Sequence, residues 1–66
     1  MKNKLKVARA EASLSQADLA ERIGVSRQTI NSIETGRYVP STVLALKIAA
    51  VFTQPVEALF SLEETD

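Results

Sequence analysis

The stretch Gln16-Ala17-Asp18-Leu19-Ala20-Glu21-Arg22-Ile23-Gly24-Val25-Ser26-Arg27-Gln28-Thr29-Ile30-Asn31-Ser32-Ile33-Glu34-Thr35 decides the fold. Ser15, just before it, can cap a helix, and Asp18 three residues later makes a weaker form of the Ser-x-x-Glu capping box. Leu19, Ala20 and Ile23 form the apolar face of that helix. Gly24 ends it, as a residue free to take positive φ at a helix C-terminus. Ser26 is a second N-cap and opens a helix from about Arg27 to Glu34. The small Ala20 lets the two helices approach closely. Two helices crossing over so short a turn make a helix-turn-helix unit.

At 100° per residue, Ile30 and Ile33 of the second helix point inward, with Glu34 on the flank. Gln28, Asn31, Ser32 and Thr35 point outward, and Arg27 lies at the edge near the N-terminus. None of these outward residues is acidic or large and apolar. A solvated helix face is usually rich in Glu and Lys, whereas this one carries amides, hydroxyls and an arginine. Those groups can pair with base edges, Arg with guanine and Gln or Asn with adenine. The bland alternative is a polar surface that meets only water.

The flanking sequence continues the helical pattern and predicts an all-α fold of five short helices. Leu5, Ala8 and Ala12 mark a first helix over about residues 3–12, followed by Leu14 as a connecting apolar residue. Gly36 ends the third helix, and Thr35 to Pro40 form a loop. Ser41 caps a fourth helix with the run Val43, Leu44, Leu46, Ile48, Val51 and Phe52. Pro55 suits the first turn of a fifth, where its missing N–H costs nothing. Val56, Leu59 and Phe60 are the apolar positions there. No segment alternates at period two, so no sheet is expected.

The chain has 66 residues, enough for one domain spanning 1–66 with a short acidic tail at about 61–66. Cysteine and histidine are both absent. This rules out disulfides and the usual Cys/His zinc sites. No apolar run approaches a membrane span, and no apolar stretch follows the basic start Met1-Lys2-Asn3-Lys4 as in a signal peptide. A cytoplasmic protein without a cofactor is expected.

The net charge of zero hides a polarised chain. Residues 1–47 hold all eight cations and only four anions (Glu11, Asp18, Glu21 and Glu34). Residues 48–66 hold Glu57, Glu63, Glu64 and Asp66 and no cation. Such asymmetry suggests a basic face for an anionic partner. Lys2, Lys4 and Lys6 suit either a mobile basic arm or a solvated terminal face. Arg22 faces solvent or pairs with Asp18, and Tyr38 either meets a phosphate or packs in its loop. Glu63-Glu64 is a carboxylate pair in a tail, not an acid/base dyad. With no His or Cys, no Gly-rich phosphate loop and no Ser near a base, an enzyme is disfavoured.

The run from Leu14 to Ser26, then Ile30, Ile33-Glu34-Thr35-Gly36-Arg37 and Pro40, resembles the phage Cro/CI repressor-type (XRE) DNA-binding domain, a lambda-repressor-like fold. The resemblance covers nearly the whole chain, to Phe60. It implies that Gln16 reaches a DNA phosphate and can touch the outward face of the recognition helix. It implies that Ser26, Arg27, Gln28, Asn31 and Ser32 face base edges or adjacent phosphates. Arg37 matches a phosphate contact, and Arg9 with Glu34 matches a structural salt bridge between the first and third helices.

The resulting expectation is a small transcriptional regulator, a repressor, reading a short palindromic operator in double-stranded DNA without a small-molecule ligand. An antitoxin or controller-type autoregulator fits equally. So does a protein-interaction module that has kept the fold without binding DNA, although an interaction face should be apolar or aromatic. A lone domain of this size reads few base pairs. A homodimer on two half-sites roughly 34–36 Å apart would double the contacts. Val56, Leu59, Phe60 and Leu62 are candidates for its interface, with Val39 and Val43 near the loop. The competing use of Val56, Leu59 and Phe60 is to close the core of their own protomer.

Overall fold

Helix caps divide the chain. The computed structural model describes all 66 residues. Its helices are α1 (Leu5–Glu11), α2 (Gln16–Ile23), α3 (Arg27–Glu34), α4 (Thr42–Phe52) and α5 (Val56–Leu59). Ser15, Ser26 and Ser41 all accept a hydrogen bond from a backbone N–H three residues on, at Asp18, Thr29 and Leu44. At α2 the box is complete, because the Ser15 N–H donates back to Asp18 Oδ2 at 3.0 Å. These two bonds satisfy donors that a helix start otherwise leaves open. The Ser15 N–H, and after it the Ser15 hydroxyl, also hold the Asp18 carboxyl below its usual range. Arg22 adds only a weaker, longer-range attraction and forms no ion pair with Asp18. Gly24 closes α2 with φ of 74°.

Side chains from every helix meet in one core. Leu5, Leu19, Ile30, Ile33, Ile48 and Leu59 are its most completely buried large residues. Ala8, Ala20 and Ala49 fill positions where helices come close. The spacing expected on α2 and α3 is the spacing that is buried.

Two expectations need correction. First, the fold is not purely helical. Lys2–Asn3 (β1) and Phe60–Ser61 (β2) pair antiparallel, with Lys2 opposite Ser61 and Asn3 opposite Phe60. Two-residue strands are too short for alternation to register. Burial of Phe60 and the adjoining bond from Lys4 N–H to the Leu59 carbonyl, 2.8 Å, hold them together. Lys2 is therefore part of a ribbon, not of a free arm. The N-terminal amine also meets Glu63 at 3.1 Å and Asp66 at 3.2 Å, so the acidic tail folds back onto the start of the chain. Second, the outer boundaries shift. α1 begins at Leu5 rather than Asn3, because Asn3 Oδ1 accepts the Leu5 N–H from outside the helix. Pro55 is the N-cap of α5, not a member of its first turn.

α4 departs from its simple reading as a buried helix. Leu44, Ile48 and Ala49 are buried, whereas Val43 is 64 % exposed and Leu46 57 % exposed. The helix is apolar on both faces, and only one face has a partner within the chain.

Candidate nucleic-acid interface

The third helix is fixed from both sides. Ile30 and Ile33 bury its inner face. Asn3 Nδ2 donates to the Ile33 carbonyl at 2.9 Å, tying the end of α3 to the chain start. Sequence reasoning missed this role of Asn3. A short amide side chain two residues before a helix is its signal, since Asn bonds a backbone N–H two residues on.

Arg9 and Glu34 form the expected salt bridge. Arg9 Nε donates to Glu34 Oε2 at 2.6 Å and an Nη2 bond reaches Oε1 at 3.0 Å. Arg9 Nη1 also donates to the Leu14 carbonyl at 3.0 Å. The Glu34 hydrogen bond and charge raise the pKa of the Arg9 guanidinium further, against the cost of its burial. The pair is largely desolvated and joins α1 to α3.

On the outer face the candidates divide by what already engages them. Arg27 and Gln28 are exposed, and their side chains have no hydrogen-bond or ion-pair partner in the chain. Arg37 is likewise exposed and unpaired. Its backbone N–H donates to the Ser32 carbonyl at 2.9 Å, after a Gly36 with φ of 80°. Asn31 is exposed, but its Oδ1 accepts from Gln16 Nε2 at 3.2 Å. The same Gln16 nitrogen lies 3.3 Å from Glu34 Oε1.

Ser26 spends its hydroxyl on capping, accepting from Thr29 N–H and sharing a 3.0 Å bond with Thr29 Oγ1. Ser32 is half-buried, with its carbonyl taken by the following loop. Thr35 does not present its hydroxyl outward as its spacing suggests. That group donates to the Asn31 carbonyl at 2.9 Å, within its own helix.

These residues converge on two neighbouring hollows. One is bordered by Gln16, Arg27, Gln28 and Asn31. The other is an open groove bordered in part by Gln28, Asn31, Ser32, Arg37 and Tyr38. Gln28 and Asn31 line both, so the face is continuous from α2 across α3 to the loop. Of the eight Lys and Arg side chains, Arg9 alone is ion-paired. The positive charge bordering the hollows, on Arg27 and Arg37, is uncompensated.

A model of the helix-turn-helix family matches residues 5–59. The chain belongs to this family, in its Cro/CI-repressor (XRE) branch. Family membership makes this helix-turn-helix protein a DNA-binding transcriptional-regulator domain rather than an enzyme. It is 53 % identical over 64 residues to the HTH-type transcriptional regulator YgzD of Bacillus subtilis, covering 97 % of each chain. A protein of the same description from Methanocaldococcus jannaschii is 53 % identical over 66 residues, the full length of both. The ImmF control region 10 kDa protein of Bacillus phage phi105 is 36 % identical over 55 residues, which is 83 % of this chain and 61 % of that protein. Among solved structures, the SOS-response transcriptional repressor LexA from Eubacterium rectale superposes with a TM-score of 0.79 at 26 % identity. The match covers 94 % of this helix-turn-helix chain and 66 % of the solved chain it matches. No helix is long and apolar enough to cross a membrane.

Of the four residues expected at a dimer interface, two are not available. Leu59 and Phe60 are buried within their own protomer. A core this small needs every large side chain it can enclose. Val56 is half-buried, and Leu62 is 79 % exposed.

Proposed function

We propose that this helix-turn-helix protein is a repressor that reads a short palindromic operator as a homodimer, with α3 in the major groove. One observation carries the reading: Arg27 and Gln28 stand on the outer face of α3 with no partner in the chain, flanked by an equally free Arg37. Unpaired, flexible donors of this kind suit base edges and phosphates, where each good bidentate pair contributes about 1–3 kcal/mol of discrimination. Arg37, beyond the end of α3, is assigned to a phosphate. The likeness to a phage control-region protein supports a regulatory role.

The second copy docks through apolar surface that the protomer leaves uncovered. Val39, Val43 and Leu46 are exposed, and Leu62 with the half-buried Val56 lies near the C-terminus. The protein works in the cytoplasm, by occluding polymerase, and requires no cofactor or small ligand. Selection of bound sites from random duplex DNA tests the proposal. The expected result is a palindromic consensus with half-sites about one helical turn apart. Absence of any enrichment would overturn it in favour of a protein-interaction module. Sedimentation with and without the selected duplex tests the dimer.

A further inference from the structure

We propose that Asn3 is a positioning residue for DNA binding: it braces the turn that leaves α3 and so holds Arg37 at the border of the open groove. This rests on the reading of Arg37 as a phosphate ligand.

The Asn3 amide bridges two helix ends of opposite polarity. Its Oδ1 accepts the Leu5 N–H at 3.2 Å, at the start of α1, and its Nδ2 donates to the Ile33 carbonyl at 2.9 Å, at the end of α3. A backbone N–H only donates and a carbonyl only accepts, so the amide has one orientation. The backbone of Asn3 is fixed as well. It pairs with the buried Phe60 across the ribbon, and the next residue, Lys4, donates its N–H to the Leu59 carbonyl at 2.8 Å. The side chain therefore reaches α3 from an anchored base.

The carbonyl it reaches is the hinge of the turn. Ile33 also accepts the Gly36 N–H at 3.1 Å, and Gly36 then redirects the chain with φ of 80°. Arg37 and Tyr38 follow, both donating their N–H groups to the Ser32 carbonyl, at 2.9 and 3.2 Å. Asn3 is the one side chain from another element that bonds the backbone of residues 31–40. The Arg37 side chain is exposed and unpaired, so its direction is set by the backbone it leaves from. One hydrogen bond is worth about two- to tenfold in an equilibrium, which bounds what Asn3 transmits to DNA affinity.

The experiment compares wild type, Asn3→Ser, Asn3→Ala, Arg37→Ala and the double variant Asn3→Ser with Arg37→Ala. Serine keeps an acceptor for the Leu5 N–H but is too short for Ile33, and alanine removes both bonds. Melting curves set a temperature at which every protein is folded, and Asn3→Ser carries the comparison if Asn3→Ala melts too low. Each protein is titrated with the duplex selected by wild type, at several salt concentrations. Asn3→Ser and Asn3→Ala are expected to lose about two- to tenfold in affinity, with part of the salt slope that Arg37→Ala loses. The double variant binds no more weakly than Arg37→Ala, because the brace acts through that side chain. In amide exchange without DNA, Gly36, Arg37 and Tyr38 exchange faster in both Asn3 variants, while the amides of α2 keep their wild-type rates. Faster exchange that spreads over α2 equally marks a general loss of stability and overturns the brace. Wild-type affinity in Asn3→Ser, or a double variant whose loss is the product of the two single losses, also overturns it. If wild type enriches no site, the DNA reading fails, and the exchange rates at residues 36–38 alone decide whether Asn3 braces the turn.

Discussion

Arg9 and Glu34, twenty-five residues apart in sequence, form a two-bond ion pair whose shorter bond is 2.6 Å. The side chains are only 14 % and 6 % exposed. The desolvation cost of such a pair offsets much of its attraction, but removing one partner strands a charge. Arg9→Met should therefore destabilise the domain by about 3 kcal/mol, whereas Arg9→Met with Glu34→Leu should recover most of the loss. Urea denaturation of the three proteins decides this. Equal destabilisation by the single and double changes would mean the pair contributes through packing alone.

Gln28 should dominate direct readout, because it is exposed, unpartnered and common to both hollows of the face. Gln28→Ala is expected to weaken binding to the best site by about 1–3 kcal/mol and to broaden the consensus at one position. Fluorescence anisotropy on consensus and mismatched duplexes measures both. Unaltered affinity would remove Gln28 from the readout.

Arg37 should act on all sequences alike. With its charge uncompensated in the chain, it can neutralise one phosphate per protomer. Arg37→Ala is expected to lower affinity uniformly and to reduce the salt slope by about one per protomer. A slope equal to wild type would place Arg37 away from the backbone.

The capping box at α2 should give the stability a pH dependence of known sign. The Asp18 carboxyl is held below its usual range by the Ser15 N–H and hydroxyl. A depressed carboxyl contributes stability above its unfolded value, about pH 3.9, and loses it as pH falls through the folded value. Wild type should therefore be more stable than Asp18→Asn at pH 7, with the gap closing below about pH 4. A gap that persists at pH 2 would assign the effect to something other than charge. Ser15→Ala should cost about 1 kcal/mol at neutral pH.

Thr53 ends α4 in the left-handed region, with φ of 53° and ψ of 43°. A β-branched residue is unfavourable there, and glycine is not. Thr53→Gly should stabilise the domain by up to about 1 kcal/mol, although a more flexible unfolded chain offsets part of the gain. A lower urea midpoint for this variant would show that Thr53 makes a compensating contact.

Local chemistry made much of the fold legible. Serine caps, Gly24 and the spacing of Leu19, Ile23, Ile30 and Ile33 place α2 and α3 from neighbouring residues alone, because helix ends and apolar stripes are short-range properties. The ribbon of β1 and β2 was not legible. It joins residues almost the whole chain apart, and two residues per strand leave no pattern.

The same boundary runs through the candidate site. The sequence by itself determined which residue types face outward on α3 and that acidic groups are kept off that face. The tertiary structure alone decided how those residues are engaged. It committed Ser26 to a cap, turned Thr35 back to its own helix and left Arg27, Gln28 and Arg37 free. It also spent Leu59 and Phe60 on the core while exposing Val43 and Leu46. The physical reason is that periodicity describes one helix, whereas hydrogen-bond partners and burial depend on which other element packs against it.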